Sequence, residues 1–197
     1  MEQVREVRVP VQARARRTRA ALVSAAEAEL SERGYAAATA RSIAQRAGVA
    51  TGSFYQYFPD KDAALHEIAR ARTDELAGRV REAIASTSDP RQAVRRVVAE
   101  VVRYHRADRA LHAVLEQRRH ADPELDRITR ASEARFVGEV EQLLGAGPGA
   151  GDARARAFVI FGLVEGAVHA HVLGGAMVSD RRFEGALVDA VLQLAER

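Results

Sequence analysis

The sequence predicts an all-α protein of about nine helices, in which an N-terminal helix-turn-helix domain of three helices precedes a helical bundle. Apolar residues recur at spacings of three and four along most of the chain. Alanine and arginine are heavily used, and runs of the β-branched residues that favour strands are scarce. With 197 residues, of which 47% are hydrophobic, the chain can bury one core or two small ones.

The first predicted helix runs from about Arg14 to Arg33. Its apolar residues between Leu22 and Leu30 recur at helical spacing and form one stripe. Gly34 follows at the position where a left-handed residue commonly ends a helix. The preceding residues 1–13, which include a proline, are predicted to be frayed.

Two short helices joined by a tight turn are predicted between Thr39 and Lys61, which is the only lysine of the chain. Thr39 can cap the second helix, because its hydroxyl can accept a hydrogen bond from a free backbone N–H. Gly48 is expected to make the turn, since the sharp reversal favours a residue that tolerates positive φ. The third helix is then predicted over Thr51–Tyr57. The aromatic residues expected to face the core are Phe54 and Phe58.

Six further helices follow, separated by short breaks. The clearest predicted loop is the glycine-rich run GAGPGAGD at residues 145–152. The six helices are predicted at Lys61–Ile84, Arg91–His105, Ala107–Arg119, Glu124–Leu144, Arg154–Gly174 and Phe183–Ala195.

The excess positive charge lies in the N-terminal third of the chain. Residues 1–62 hold 10 basic and 7 acidic side chains, and the remaining 135 residues hold 20 of each. Attraction to nucleic-acid phosphates is one interpretation of this excess, and a solvated basic leader is the other. We predict one domain over residues 14–62 and a second over residues 63–197.

Several classes of site are not expected from the composition. The chain has no cysteine, which excludes disulfides and thiolate metal sites. Its six histidines look scattered, so no metal ion or other cofactor is predicted. No enzyme motif is found, no run of about 18 apolar residues predicts a membrane span, and the charged N-terminus does not resemble a signal peptide. We therefore expect a cytoplasmic protein that is not an enzyme.

Residues 17–68 closely resemble the DNA-binding domain of the TetR family of transcriptional regulators. The resemblance rests on a first helix that ends in ERGY and on the following run TARSIAQRAGVATGSFYQYFPDKDAAL. It implies that the third helix lies in the major groove of double-stranded DNA. The remaining two thirds of the chain matches only as a bundle of helices, which in this family binds effectors and forms the dimer.

The resemblance implies a role in DNA binding for nine residues. Base edges are expected to be reached from the start of the third helix, and phosphates from its end and from the flanking helices. Arg41 could also be an ordinary exposed arginine, and Tyr57 could plug a helix interface instead. Ala50 stands where relatives carry a capping serine, and Thr51 is the expected substitute. The nine residues are Thr39, Arg41, Thr51, Gly52, Ser53, Tyr55, Gln56, Tyr57 and Lys61.

Small residues every four positions on the predicted helix Arg154–Gly174 favour close approach by another helix. We predict that this face and the last helix form a four-helix bundle between two copies of the chain. Close packing within one subunit is the alternative. The residues predicted at the dimer interface are Gly166, Ala170, Gly174, Leu187, Val191 and Leu194.

The other face of the same helix is predicted to line an effector pocket. Glu165 and His169 are four residues apart and can pair, and aromatic residues with a few polar groups suit a small molecule. Core packing or a satisfied ion pair would explain the same residues. The predicted pocket residues are Tyr104, His105, Phe136, Phe158, Phe161, Glu165 and His169.

These predictions together describe a homodimeric repressor that binds a palindromic operator and is released by an unidentified small-molecule effector. Two alternatives are a ligand sensor that has lost DNA recognition, suggested by Ala50, and a helical enzyme. Selection from random DNA would test the first alternative, and a substrate screen the second.

Overall fold

The structure, a computed structural model, describes residues 11–145 and 152–196. These residues form nine α-helices and no strand, which confirms the predicted all-α fold. Most of the predicted loop at 145–152 lies outside the described residues. The helices are α1 Val11–Ala37, α2 Ala40–Arg46, α3 Thr51–Tyr55, α4 Lys61–Ala85, α5 Pro90–Ala107, α6 Arg109–Arg119, α7 Pro123–Gly145, α8 Ala153–Val172 and α9 Asp180–Ala195.

The chain divides into two compact units, Met1–Ile68 and Ala69–Arg197. The division falls inside α4, a few residues after the predicted boundary between 62 and 63. In the first unit, α1 begins at Val11, before the predicted start. Gly34 has φ 72° and ψ 168°, which are not helical, so it separates two helical segments within α1. The positive φ predicted for this glycine at the end of the first segment is confirmed.

The core of the first unit is built from α1 to α4. Its large side chains are fully buried because α1 turns its apolar stripe toward the short helices. Phe54 and Phe58 belong to this core, as predicted from their spacing. The fully buried large residues of this unit include Leu22, Leu30, Ile43, Phe54, Leu65 and Ile68.

The second unit has its own core, formed by α4, α5, α8 and α9. Aspartates fix the starts of α5 and α6, because their carboxylates accept hydrogen bonds from backbone N–H groups of the first turn. Asp89 accepts from Arg91 N at 3.0 Å, and Asp108 accepts from Leu111 N at 2.9 Å. These caps position the two helices that carry part of the cavity described below.

Helix α8 is, within the described part of the chain, one helix with enough length and apolar character to cross a membrane. This observation is weak evidence for a span, because an ordinary core helix meets the same criteria. The helix also carries Glu165, His169 and His171. Apolar residues lie on both the buried face and the exposed face of α8, which accounts for its apolar character.

Candidate nucleic-acid interface and C-terminal cavity

The turn between α2 and α3 is held by local hydrogen bonds. The Thr39 hydroxyl accepts a hydrogen bond from Ser42 N at 3.0 Å, and Thr39 N donates to Ser42 Oγ at 3.1 Å. This reciprocal pair satisfies the start of α2 and confirms the predicted cap. Gly48 has φ 69°, which confirms that the turn needs a residue tolerant of positive φ.

Helix α3 is shorter than predicted and lacks a side-chain cap. It runs from Thr51 to Tyr55, and its N-cap residue is Ala50. The expectation that Thr51 replaces the missing cap is wrong, because Thr51 already lies inside the helix. So short a helix needs tertiary packing. Phe54, with 0% of its surface exposed, and Phe58 supply this packing, and their ring centres are 5.6 Å apart.

The residues predicted to contact DNA lie mainly on the surface of the first unit. Most of them are exposed, and three are half-buried. Tyr55, with 58% of its surface exposed, packs edge-to-face on Phe54. Their contacts with DNA stay a prediction. The exposed residues are Thr39, Arg41, Thr51, Gly52, Tyr55 and Gln56, and the half-buried residues are Ser53, Tyr57 and Lys61.

Lys61 is held against the end of α1. Its ammonium donates hydrogen bonds to the carbonyls of Tyr35 at 2.7 Å and Ala38 at 3.1 Å, and it lies 3.9 Å from the centre of the Tyr35 ring. An ammonium has three N–H donors, so one remains for another acceptor. Lys61 therefore has a structural role in addition to its predicted phosphate contact.

An ion pair between the buried Glu29 and the partly exposed Arg46 positions α2, and the sequence pattern did not reveal it. Arg46 Nε donates to Glu29 Oε1 at 2.8 Å, and Arg46 also pairs with Glu32. Arg33 pairs with the same buried Glu29 carboxylate. Hydrogen bonding from Ser42, together with Arg46 and Arg33, lowers the pKa of Glu29 below its ordinary value. The pair ties α1 to the helix that braces α3.

The second unit contains a cavity of about 230 Å³ bounded by residues of α4 to α8. Six of the seven predicted pocket residues line it. Phe158 does not, because 66% of its surface is exposed on another face of α8. That a ligand binds here stays a prediction. The six lining residues are Tyr104, His105, Phe136, Phe161, Glu165 and His169.

The prediction that the histidines are scattered is wrong for three of them. His105, His112 and His169 come from α5, α6 and α8, and one ring nitrogen of each lies within 4.8 Å of the others. His112 was missed because it lies on a different helix from His105 and His169, so its proximity to them depends on how the helices pack. His171 points elsewhere, pairs with Asp180 and stacks on a phenylalanine.

Burial and neighbouring charges set the protonation of this cluster. Burial lowers the pKa of His105, and burial together with the neighbouring histidines lowers the pKa of His112 to about 3. The Glu165 carboxylate, 3.1 Å from His169 Nε2, raises the pKa of His169. Burial would raise the pKa of Glu165, but the interaction with His169 outweighs burial and lowers that pKa. At neutral pH, His105 and His112 are therefore neutral imidazoles beside an ionised carboxylate.

Two further polar groups at the cavity have no hydrogen-bond partner in the part of the chain that the structure describes. They are Arg72 Nη2 and Ser132 Oγ, both of which are buried atoms. Buried polar groups are normally paired. Orphaned groups at a cavity wall thus favour a ligand that carries polar atoms.

The residues predicted at the dimer interface fall into two sets. Gly166 and Ala170 are exposed on α8. Gly174 lies beyond the end of α8 at Val172, and an added Cβ there would stand 2.7 Å from the Ala170 carbonyl oxygen. The predicted residues of α9 are not on the surface of their unit, because they pack into its core. Leu187 and Val191 are buried there, and Leu194 is half-buried against the same core.

Known proteins match both units. A family model described as "Bacterial regulatory proteins, tetR family" matches residues 22–68. A second, "Tetracyclin repressor-like, C-terminal domain", matches residues 89–194.

Curated relatives match part of the chain. It is 39% identical over 80 residues to the HTH-type transcriptional repressor KstR2 of Rhodococcus jostii (strain RHA1), covering 41% of this chain and 39% of that protein. It is 32% identical over 113 residues to KstR2 of Mycobacterium tuberculosis, covering 56% of each. The matches thus span about half or less of these relatives.

A solved structure shares the fold over nearly the whole chain. The crystal structure of a transcriptional regulator from Rhodococcus sp. Rha1 superposes with a TM-score of 0.76 and 23% identity. The superposition covers 90% of this chain and 96% of that one. At this identity, the likeness concerns the fold.

Proposed function

Because this chain belongs to the TetR family of bacterial transcriptional regulators, we propose that it is a repressor released from a near-palindromic operator by a small-molecule effector. The observation that carries the proposal is the exposed polar surface of α3, which projects from a packed aromatic core. The KstR2 relatives are named as transcriptional repressors, which supports repression over activation.

Base reading is assigned to α3 and backbone binding to its surroundings. Ser53 and Gln56 offer short polar groups for base edges in the major groove. We assign Arg41 and Lys61 to contacts with phosphates, which supply most of the affinity and make it fall with salt. Gly52 presents no side chain, so the backbone of α3 can approach the DNA closely.

Dimerisation is assigned to the exposed face of α8. Phe158, Gly162, Gly166 and Ala170 recur every four residues, so they form one stripe along the helix. Val159 beside them is 51% exposed. A long apolar stripe with small residues suits close packing against the same helix of a second copy. Two copies would then present two α3 helices to the two halves of an operator.

Effector binding is assigned to the C-terminal cavity. Arg72, Thr73 and Leu76 of α4 line it, and α4 is the helix that begins at Lys61. A ligand can regulate DNA binding only if it binds one disposition of α4 better than another. Because residues of α4 line the cavity, a ligand bound there would contact α4 and could favour one of its positions.

Selection of bound DNA from random duplexes tests the proposal with the full chain. We expect a near-palindromic motif with half-sites about 10 base pairs apart, or a multiple of that spacing. Ser53→Ala and Gln56→Ala should change the preferred bases. Arg41→Ala should weaken binding to all sequences, whereas Arg95→Ala, an exposed arginine of α5, should not. A folded protein that enriches no motif would contradict the proposal and favour the sensor.

Lys61 needs a separate control because it also anchors α1. Lys61→Ala is expected to weaken binding to all DNA, and part of the loss could come from the lost bonds to the carbonyls of Tyr35 and Ala38. The melting temperature separates the two causes. Lys61→Ala protein that is as stable as wild type and binds DNA equally well would contradict the phosphate contact.

A further inference from the structure

The histidine cluster brings nitrogen ligands together from three helices. The ring centres of His105 and His112 are 4.4 Å apart, those of His112 and His169 are 4.7 Å apart, and those of His105 and His169 are 5.1 Å apart. All three residues line the cavity of the second unit, together with Glu165. Three imidazoles and one carboxylate are a common set of metal ligands in proteins.

The orientation of His105 leaves a lone pair facing a carboxylate. His105 Nδ1 lies 2.8 Å from the Val101 carbonyl oxygen, which can only accept, so Nδ1 carries the proton. In the neutral ring, Nε2 then carries a lone pair. That atom lies 3.7 Å from Glu165 Oε2, which is also an acceptor. Two acceptors held this close are stabilised by a cation between them.

His169 cannot satisfy both of its neighbours. Its Nε2 lies 2.8 Å from His112 Nε2 and 3.1 Å from Glu165 Oε2. A ring nitrogen offers either one hydrogen or one lone pair. Whichever it offers, one of the two neighbours stays without a well-aligned partner. Glu165 Oε2 is a buried atom that makes no well-aligned hydrogen bond among the described residues.

We propose that this cluster binds one divalent transition-metal ion through His105, His112, His169 and Glu165. The inference rests on the proposed function for the role of the cavity, and it identifies the class of ligand there. Imidazole and carboxylate ligands without thiolate suit Zn²⁺, Co²⁺ or Ni²⁺ better than Mg²⁺ or Ca²⁺.

The geometry needs only small side-chain movements to accept the ion. Zn–N bonds of about 2.0–2.1 Å place two nitrogens of a tetrahedral site about 3.3 Å apart. The closest pair here is 2.8 Å apart, and every pair is within 4.8 Å. The bond from His105 Nδ1 to the Val101 carbonyl fixes that ring in the orientation that a metal ligand needs.

Titration of chelator-treated full-length protein with Co²⁺ tests the site. We expect visible absorption bands of nitrogen- and oxygen-bound Co²⁺ that saturate at one ion per chain and disappear when Zn²⁺ is added. His112→Ala and His169→Ala should weaken Zn²⁺ binding at least 100-fold by calorimetry. Glu165→Gln keeps the side-chain volume and should weaken it about 10- to 100-fold.

His120→Ala is the matched control, since His120 is exposed and lies outside the cluster. Its Zn²⁺ affinity should equal that of wild type. Wild-type protein that gives no Co²⁺ bands, or cluster variants that bind as wild type does, would overturn the metal site. DNA selection with metal-free protein separates this result from the proposed function: an enriched operator without metal binding removes only the metal.

Discussion

The two units place their functional groups in opposite environments. In the first unit, most of the residues assigned to DNA lie on the surface, outside a core of phenylalanine and aliphatic side chains. In the second unit, the polar groups assigned to a ligand line an interior cavity. A surface group can be removed with little effect on folding, whereas an interior polar group changes stability and binding together. Stability and function should therefore separate in the first unit and remain linked in the second.

The largest expected effect is the difference in stability between variants of two neighbouring aromatic residues of α3. Phe54→Ala removes a fully buried ring and should lower the free energy of unfolding by about 3–5 kcal/mol. Tyr55→Ala removes a mostly exposed ring and should lower stability much less while weakening DNA binding. Urea denaturation and gel-shift titration measure the two quantities. Equal destabilisation by both changes would show that the surface of α3 is part of its core.

The second prediction concerns the buried Glu29 carboxylate. Glu29→Gln should lower the stability by about 2 kcal/mol at pH 7, because the hydrogen bonds to Arg46 lose their charge. The pKa of Glu29 is lowered in the folded state, so its contribution is complete above about pH 4.5 and is lost as pH falls through the folded pKa. Urea midpoints of wild type and variant should therefore converge in acid.

Glu32→Gln is the control for that pH dependence. Glu32 pairs with the same arginine, but its side chain is exposed. Its replacement should change stability less, and the effect should fall at high salt. A Glu29→Gln difference that persists unchanged below the ordinary pKa of the carboxyl would contradict the role given to its charge.

The two helix starts of the first unit give the third prediction. Thr39→Ala removes the cap of α2 and should cost about 1 kcal/mol. Ala50→Ser supplies the hydroxyl that the start of α3 lacks and should raise stability by a similar amount. Thermal melting of the two variants checks both signs. An Ala50→Ser variant no more stable than wild type would mean that the first N–H groups of α3 already have acceptors.

The first unit was more predictable from sequence than the second for a physical reason. Thr39, Gly48 and Phe54 act through hydrogen bonds, φ angles and helix faces that span a few residues. The histidine cluster joins positions 105, 112 and 169, whose proximity depends on how three helices pack. Leu187 shows the same limit: its periodicity predicts an apolar stripe, but only the fold shows that the stripe faces its own core.

The fourth prediction concerns the cavity, where removal of a buried hydroxyl group is expected to stabilise the protein. Ser132 Oγ is buried and has no hydrogen-bond partner among the residues described, so Ser132→Ala should raise stability by about 1 kcal/mol. Thr129→Val is the control, because the Thr129 hydroxyl donates to the Leu125 carbonyl at 2.9 Å. It should bring no such gain. A destabilised Ser132→Ala protein would mean that the hydroxyl is satisfied in solution and would weaken the case for a polar ligand.

The smallest change in stability is expected for a substitution of Gly52. This substitution should also separate stability from DNA affinity most clearly, because the two should change in opposite directions. No heavy atom lies within 4 Å of a Cβ added there, and its φ is not positive. Gly52→Ala should therefore raise stability by up to about 1 kcal/mol, since alanine is the better helix former. Its methyl group would nevertheless stand where the α3 backbone approaches DNA, so the affinity should fall about 10-fold, or by about 1.4 kcal/mol.

Gly138→Ala is the control, because it makes the same change on α7, again with no atom within 4 Å of the added Cβ. It should stabilise the protein without altering its affinity for DNA. If both variants bind DNA alike in gel-shift titrations, the backbone of α3 does not approach the duplex closely, and the surface of the first unit reads DNA through side chains alone.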